Sequence, residues 1–198
     1  MEIFNELNND HIKFIEEQKV FFVATAVSDG RINLSPKGLD SLRVLKNNRI
    51  VWLNLTGSGN ETSAHIQEYS RMTIMMNAFE GKPLILRIYG NAKVIHHLDD
   101  EWNDLIGLFP YSEGSRQIFD LSISSVQTSC GWAVPEYKFI KERNILDKSN
   151  KAAGEKRIKK YWKKANTKSI DGIETNIIEK NIGKGFLSSI SFNKKEKT

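Results

Sequence analysis

A chain of 198 residues, 39% hydrophobic and 27% charged, has enough apolar sequence for one sizeable core, which excludes disordered and fibrous classes. No apolar run approaches the roughly 20 residues of a membrane span, and MEIFNELNNDHIKF lacks the basic-then-apolar pattern of a secretion signal. The single cysteine, Cys130, has no internal disulfide partner, so the chain reads as cytoplasmic.

The net charge of +5 is unevenly spread: residues 1–137 carry 12 Lys and Arg against 17 Asp and Glu, and residues 138–198 carry 17 against 7. A basic end can serve nucleic acid or an acidic membrane. We read it instead as a solvated helix face and a Lys-rich tail, with no nucleic acid and no membrane as partner. Exposed aromatics interleaved with the charges, which nucleic-acid binding would need, stop at Tyr161 and Trp162.

The first element in chain order is a helix from about Asp10, as its cap, to Lys19, with Ile12, Phe14 and Ile15 towards one side. VFFVATAVS (20–28) is a β-branched strand ending at Asp29-Gly30, a hairpin signal, and RINLSPKG (31–38) answers it. Pro36 places that second strand at an edge or a bend, because proline cannot donate to a ladder. RIVWLNL (49–55) is a third strand. The segment 56–63, TGSGNETS, then leads into a helix capped by Asn60 and running to about Tyr69. RMTIMMNAF (71–79), a Glu80–Pro83 turn and LILRIYGNAKVI (84–95) give the fourth and fifth strands. A short helix capped by Asp99-Asp100, a sixth strand over 117–128 and an irregular SCGWAVPEYKF leading to a last edge strand follow. A basic helix over 148–164, weakly broken by Gly154, places Ile158, Tyr161 and Trp162 on one side. Six strands joined mostly by short turns, with helices at the ends, predict a mainly β fold, a small antiparallel barrel with flanking helices.

Three clusters can carry chemistry. Leu55-Thr56-Gly57-Ser58-Gly59-Asn60-Glu61-Thr62-Ser63 joins a strand to a helix, where glycines permit close backbone approach and the first helical turn offers unpaired N–H groups. It suits a phosphate, and equally a polar turn with a capped helix; it is neither a Walker A loop nor a GxGxxG fingerprint. Ser35-Pro36-Lys37-Gly38 puts a lysine at a strand end, to meet a phosphate or an electron-rich ring, or to lie at the surface of a turn. Arg87, flanked by apolar residues, calls for a partner: a ligand phosphate, or a carboxylate such as Glu80. In the Gln127–Tyr137 stretch, Trp132 beside Gly131 can stack on a flat ring or belong to the core next to Cys130. The histidines have no convincing metal spacing, and no metal is expected.

In their order along the chain, DGRINLSPKG (29–38), TGSGNET (56–62), FEGKP (79–83) with LRIYG (86–90), and SCGW (129–132) resemble the pyridoxamine 5′-phosphate oxidase-like flavoproteins, the FMN-binding split-barrel family. The likeness spans about residues 20–140. It is to a branch related to the oxidase: the arginine and lysine that grip the FMN phosphate in the oxidase are Glu61 and Thr62 here, and FNKKEKT stands where the oxidase has its C-terminal Arg-x-His. The resemblance implies a six-stranded antiparallel split barrel over residues 1–146, followed by a basic helix and tail over 147–198. It implies a homodimer whose interface forms two FMN sites, and a small-molecule substrate. Ser35, Lys37 and Gly38 would run along the flavin. Leu53, Asn54 and Leu55, with Thr56, Asn60, Thr62 and Ser63, would meet its ribityl chain and phosphate. Arg87 and Trp132 complete the expected cofactor contacts. The same barrel also serves, in the alternative, as a non-catalytic flavin- or haem-binding module.

Overall fold

Alternation of apolar and polar residues builds the sheet, and the places where alternation fails are those buried on both faces. In the computed structural model, which describes residues 1–183, the strands are β1 (Glu2–Phe4), β2 (Phe21–Thr25), β3 (Asn33–Lys37), β4 (Leu42–Lys46), β5 (Arg49–Leu55), β6 (Arg71–Asn77), β7 (Ile85–Ile95) and β8 (Ser115–Ser129). The helices are α1 (Asn9–Glu17), α2 (Glu61–Glu68), α3 (Glu101–Ile106), α4 (Ile145–Ala165) and α5 (Ile177–Ile182). Residues 184–198, with the FNKKEKT end of the expected tail, lie outside the described residues.

All pairings are antiparallel, in the order β3-β2-β6-β7-β8-β5-β4, with β1 added to β8. The sheet therefore has eight strands where six were expected. Among the described residues no pairing joins its two ends, β3 and β4, so it is not closed. Three-residue β1 is too short to show a period, and β4 lies in what reads as a connection. Both owe their existence to partners, β8 and β5. The last edge strand expected after SCGWAVPEYKF is absent: residues 130–144 form no regular element. Pro36 does sit on an edge strand, β3, where its missing N–H costs no ladder bond.

In β2, Phe21, Val23 and Thr25 are buried and their neighbours half-buried, a period of two. β5 is buried on both faces. Its Ile50 and Trp52 enter the main core with Val23, Ile74, Leu86, Ile88 and Phe119. Its Val51 and Leu53 enter a second core with Trp102, Leu105 and Phe109 around α3. Gly90 sits at a register shift between β7 and β8, where a Cβ would lie 2.1 Å from the Ser122 carbonyl oxygen, so only glycine fits.

The α1 cap is Asn8 rather than Asp10: its side chain accepts from His11 N–H at 2.9 Å, and the His11 ring accepts from Asn8 N–H at 3.2 Å. This reciprocal box satisfies two helix-end donors. α4 is broken at Gly154, with φ 66°. Past the break, Ile158 and Trp162 pack with Ile177 and Ile178 of α5 in a third small core. This C-terminal element lies against the loop before α2, through contacts described below. Among the described residues no helix is long and apolar enough to cross a membrane.

Candidate functional site

The C-terminal ends of β3 and β5 form one wall of a cavity of about 490 Å³. Lys37, Gly38, Leu53, Asn54, Leu55 and Thr56, half of the residues singled out from sequence, line it together. The other wall comes from the segment leading into α4, through Lys141, Glu142, Arg143 and Leu146. Lys37 is placed by its pairing with Phe21, and its Nζ lies 5.1 Å from the ring centroid of Trp52. That ring is held in turn by stacking on Phe119, 4.8 Å away and 16° from parallel. Burial first, and then the charge of Arg116, pull the Lys37 pKa down to about 8. Lys37 is half-buried in this wall rather than standing free at a turn. The cavity wall carries three cations, Lys37, Lys141 and Arg143, against one carboxylate, Glu142.

Below this cavity the glycine loop is pinned by its carbonyls. Arg116, at the start of β8, donates from Nη1 to the Gly59 carbonyl at 2.8 Å and to that of Gly57 at 3.3 Å. Asn166 Nδ2 donates to the same two oxygens at 3.1 and 3.0 Å. Trp162 Nε1–H donates to Thr56 Oγ1, which donates on to the Gly114 carbonyl. Asn60 Nδ2 reaches the Asn166 carbonyl at 3.3 Å, and the Glu61 carboxylate accepts from Ile170 N–H. Asn60 is thus at the helix start, but its side chain faces the C-terminal element and caps nothing. The amide N–H groups of Gly57, Ser58 and Gly59 donate to no acceptor among the described residues.

Arg116 is 4% exposed. It has no carboxylate within ion-pair distance among the described residues, and its Nε is buried without an acceptor. Burial pulls its pKa down to about 10, still far above neutral, so it stays charged. A buried cation without an anion is costly and is a feature a phosphate would relieve.

The remaining sequence-predicted residues are not in this cavity. Ser35 Oγ donates to Asn33 Oδ1 at 3.0 Å, and Asn33 Nδ2 donates to Thr62 Oγ1, also at 3.0 Å. Ser63, fully buried, accepts from Gln117 Nε2 at 2.9 Å. The Thr62 and Ser63 hydroxyls therefore tie α2 to the sheet. Among the described residues Arg87 has neither Glu80 nor any other carboxylate as an ion-pair partner; its Nη1 donates to Ser129 Oγ at 3.1 Å across β7 and β8. Trp132 is 82% exposed, which removes the core reading and leaves a free ring. Sequence reading missed Arg116, Trp162 and Asn166, because each meets the loop from 57 to 109 residues away and no local pattern marks them.

The family model described as pyridoxamine 5′-phosphate oxidase matches residues 7–130. The chain is 36% identical over 141 residues to the pyridoxamine 5′-phosphate oxidase family protein ustO of Aspergillus flavus, a match covering 68% of this chain. It spans 57% of that relative's length. Among solved structures, a candidate pyridoxamine 5′-phosphate oxidase from Lactobacillus delbrueckii superposes with a TM-score of 0.51 at 21% identity, over 63% of this chain and 95% of that one. HupZ of Group A Streptococcus superposes with a TM-score of 0.50 at 15% identity, over 67% of this chain and all of the other. At these identities the two structures speak to the fold.

Proposed function

The chain belongs to the pyridoxamine 5′-phosphate oxidase family, and on that footing we propose that it is an FMN-dependent oxidoreductase of a small molecule, working as a homodimer. The observation that carries this reading is the cavity that gathers Lys37, Gly38 and Leu53–Thr56 under a surplus of positive charge. A volume of about 490 Å³ is within the usual range of cofactor pockets.

Lys37 donates to the electron-rich edge of the flavin, with Ser35 and Gly38 along the same strand. Leu53, Asn54, Leu55 and Thr56 line the ribityl chain. The unpaired amides of Gly57–Gly59 receive the phosphate at the start of α2, close to Asn60, Thr62 and Ser63. The buried charge of Arg116 favours the same anion from behind the loop. This replaces the arginine and lysine absent at positions 61 and 62. Glu61, turned onto Ile170 N–H, is held by a competing donor. Arg87 and the exposed Trp132 stand on or beside the outer face of the sheet, where a second protomer would meet them. When bound, FMN accepts two electrons from a substrate and passes them on; the protein supplies position and field.

The haem alternative has less support. His11, His65 and His96 are buried, and His97 is bonded to Ser115 and enclosed by two tryptophans. None of them lines the cavity. Mass spectrometry of ligand released from the native protein tests the proposal. FMN, with absorbance near about 450 nm, supports it. Haem or a deazaflavin without FMN would overturn it, as would failure to bind added FMN.

A further inference from the structure

A second concavity adjoins the Lys37 cavity and has a different chemistry. It is a cleft of about 700 Å³ between the end of α1, the β6–β7 turn and residues 137–140. Its wall is mostly carbon, from Val20, Phe79, Tyr137, Phe139 and Ile140. Phe79 and Tyr137 are fixed edge to face at 5.4 Å, and Tyr137 N–H donates to the Phe79 carbonyl at 2.9 Å. That bond anchors the strap over the turn and leaves Tyr137 62% and Ile140 86% exposed at the cleft. Apolar side chains held outwards in a cluster mark a binding surface.

Two observations connect this cleft to the cofactor cavity. The strap is continuous: residues 137–140 wall the cleft, and residues 141–143 with Leu146 wall the cavity. Gly38, in the cavity wall, lies so close to Lys19 that a Cβ there would stand 3.2 Å from its carbonyl oxygen, and Lys19 lines the cleft. Charge separates the two. The cavity has three cations against one carboxylate, whereas the cleft has Lys19 and Lys138 balanced by Glu17 and Glu80. A phosphorylated or carboxylated compound gains nothing there over bulk water, while an uncharged ring gains a carbon wall.

We propose that this cleft binds an uncharged, ring-bearing small molecule, and that this is the substrate class presented to the neighbouring cofactor cavity. The substrate role rests on the FMN reading above; the binding itself does not. The phosphate is then recognised in one compartment and the substrate's apolar body in the other.

The test uses 2-naphthol and its phosphate ester as probes of the full chain, by calorimetry, with FMN titrated separately. Naphthol should bind at least about tenfold more tightly than the ester. Ile140→Asp should weaken naphthol by about tenfold at unchanged melting temperature, because Ile140 is exposed. The FMN titration should stay as in the parent, and Phe139→Ala should act in the same direction on naphthol. An ester that binds as well as naphthol would overturn the proposal, and so would an Ile140→Asp variant with unaltered naphthol affinity. A parent blind to naphthol whose dimer falls apart in Ile140→Asp, by light scattering, would assign the cleft to a second copy instead. A chain that binds naphthol with this preference but never FMN keeps the site and loses the oxidoreductase reading.

Discussion

The indole N–H of Trp162 donates to Thr56 Oγ1 at 2.8 Å, a buried hydrogen bond spanning 106 residues. It locks the C-terminal element to the first residue of the glycine loop. Together with Asn166 and Arg116 it turns the loop's carbonyls to one set of donors, so the loop conformation is a tertiary product rather than a property of Thr-Gly-Ser-Gly.

Asn166→Ala removes two of the four bonds to the Gly57 and Gly59 carbonyls. The fold should lose about 1–2 kcal/mol, and the preference for FMN over riboflavin should fall severalfold. Paired titrations of the two flavins check this. A variant that is less stable but discriminates as the parent does would show that the loop does not receive the phosphate.

Lys37 gives a pH signature. With its pKa near 8, it carries its charge below that value, so FMN should bind best at neutral pH. Affinity should weaken as pH rises through 8 towards the lysine's pKa in the complex. Lys37→Met should bind FMN more weakly by about 1.5–3 kcal/mol and lose this dependence. In the ligand-free protein the sign is opposite: the unfolded lysine holds its proton to a higher pH, so this group adds stability between about 8 and the ordinary lysine range. Flavin titrations and urea melts at several pH values read both.

His97 makes the fold acid-sensitive. Its ring centroid lies 4.1 Å from that of Trp102 and 5.5 Å from that of Trp162, and its Nε2–H donates to the Ser115 carbonyl. Burial is the main force pushing its pKa down to about 4. The depressed value means that the folded state wants the neutral ring. This stability is complete above the unfolded pKa near 6.5 and is lost as pH falls towards 4. The loss amounts to roughly 3 kcal/mol. His97→Gln should flatten the dependence of unfolding free energy on pH in that window.

Gly90→Ala should destabilise by about 1–3 kcal/mol or more, because its Cβ would meet the Ser122 carbonyl at 2.1 Å. Gly57→Ala has open space around the new methyl and should fall within about 0.5 kcal/mol of the parent. Chemical denaturation of the pair tests the close packing of Gly90 at the β7–β8 bulge.

The amino-acid sequence by itself determined six of the eight strands and most of the helices, since alternation, hairpin glycines and strand-breaking loops act within about ten residues. It also determined the family, through ordered motifs. The edge position of the Pro36 strand follows from a missing N–H. Tertiary structure alone decided the rest. β1 and β4 exist because β8 and β5 offer them free edges. Asn60 forsakes its cap because Asn166 lies closer at hand. Lys37 is depressed because burial removes its water and because Arg116, 79 positions away, adds its charge. Periodicity records which face of an element is buried. It carries no information about which distant element covers that face, and the electrostatics of this site depend on that covering.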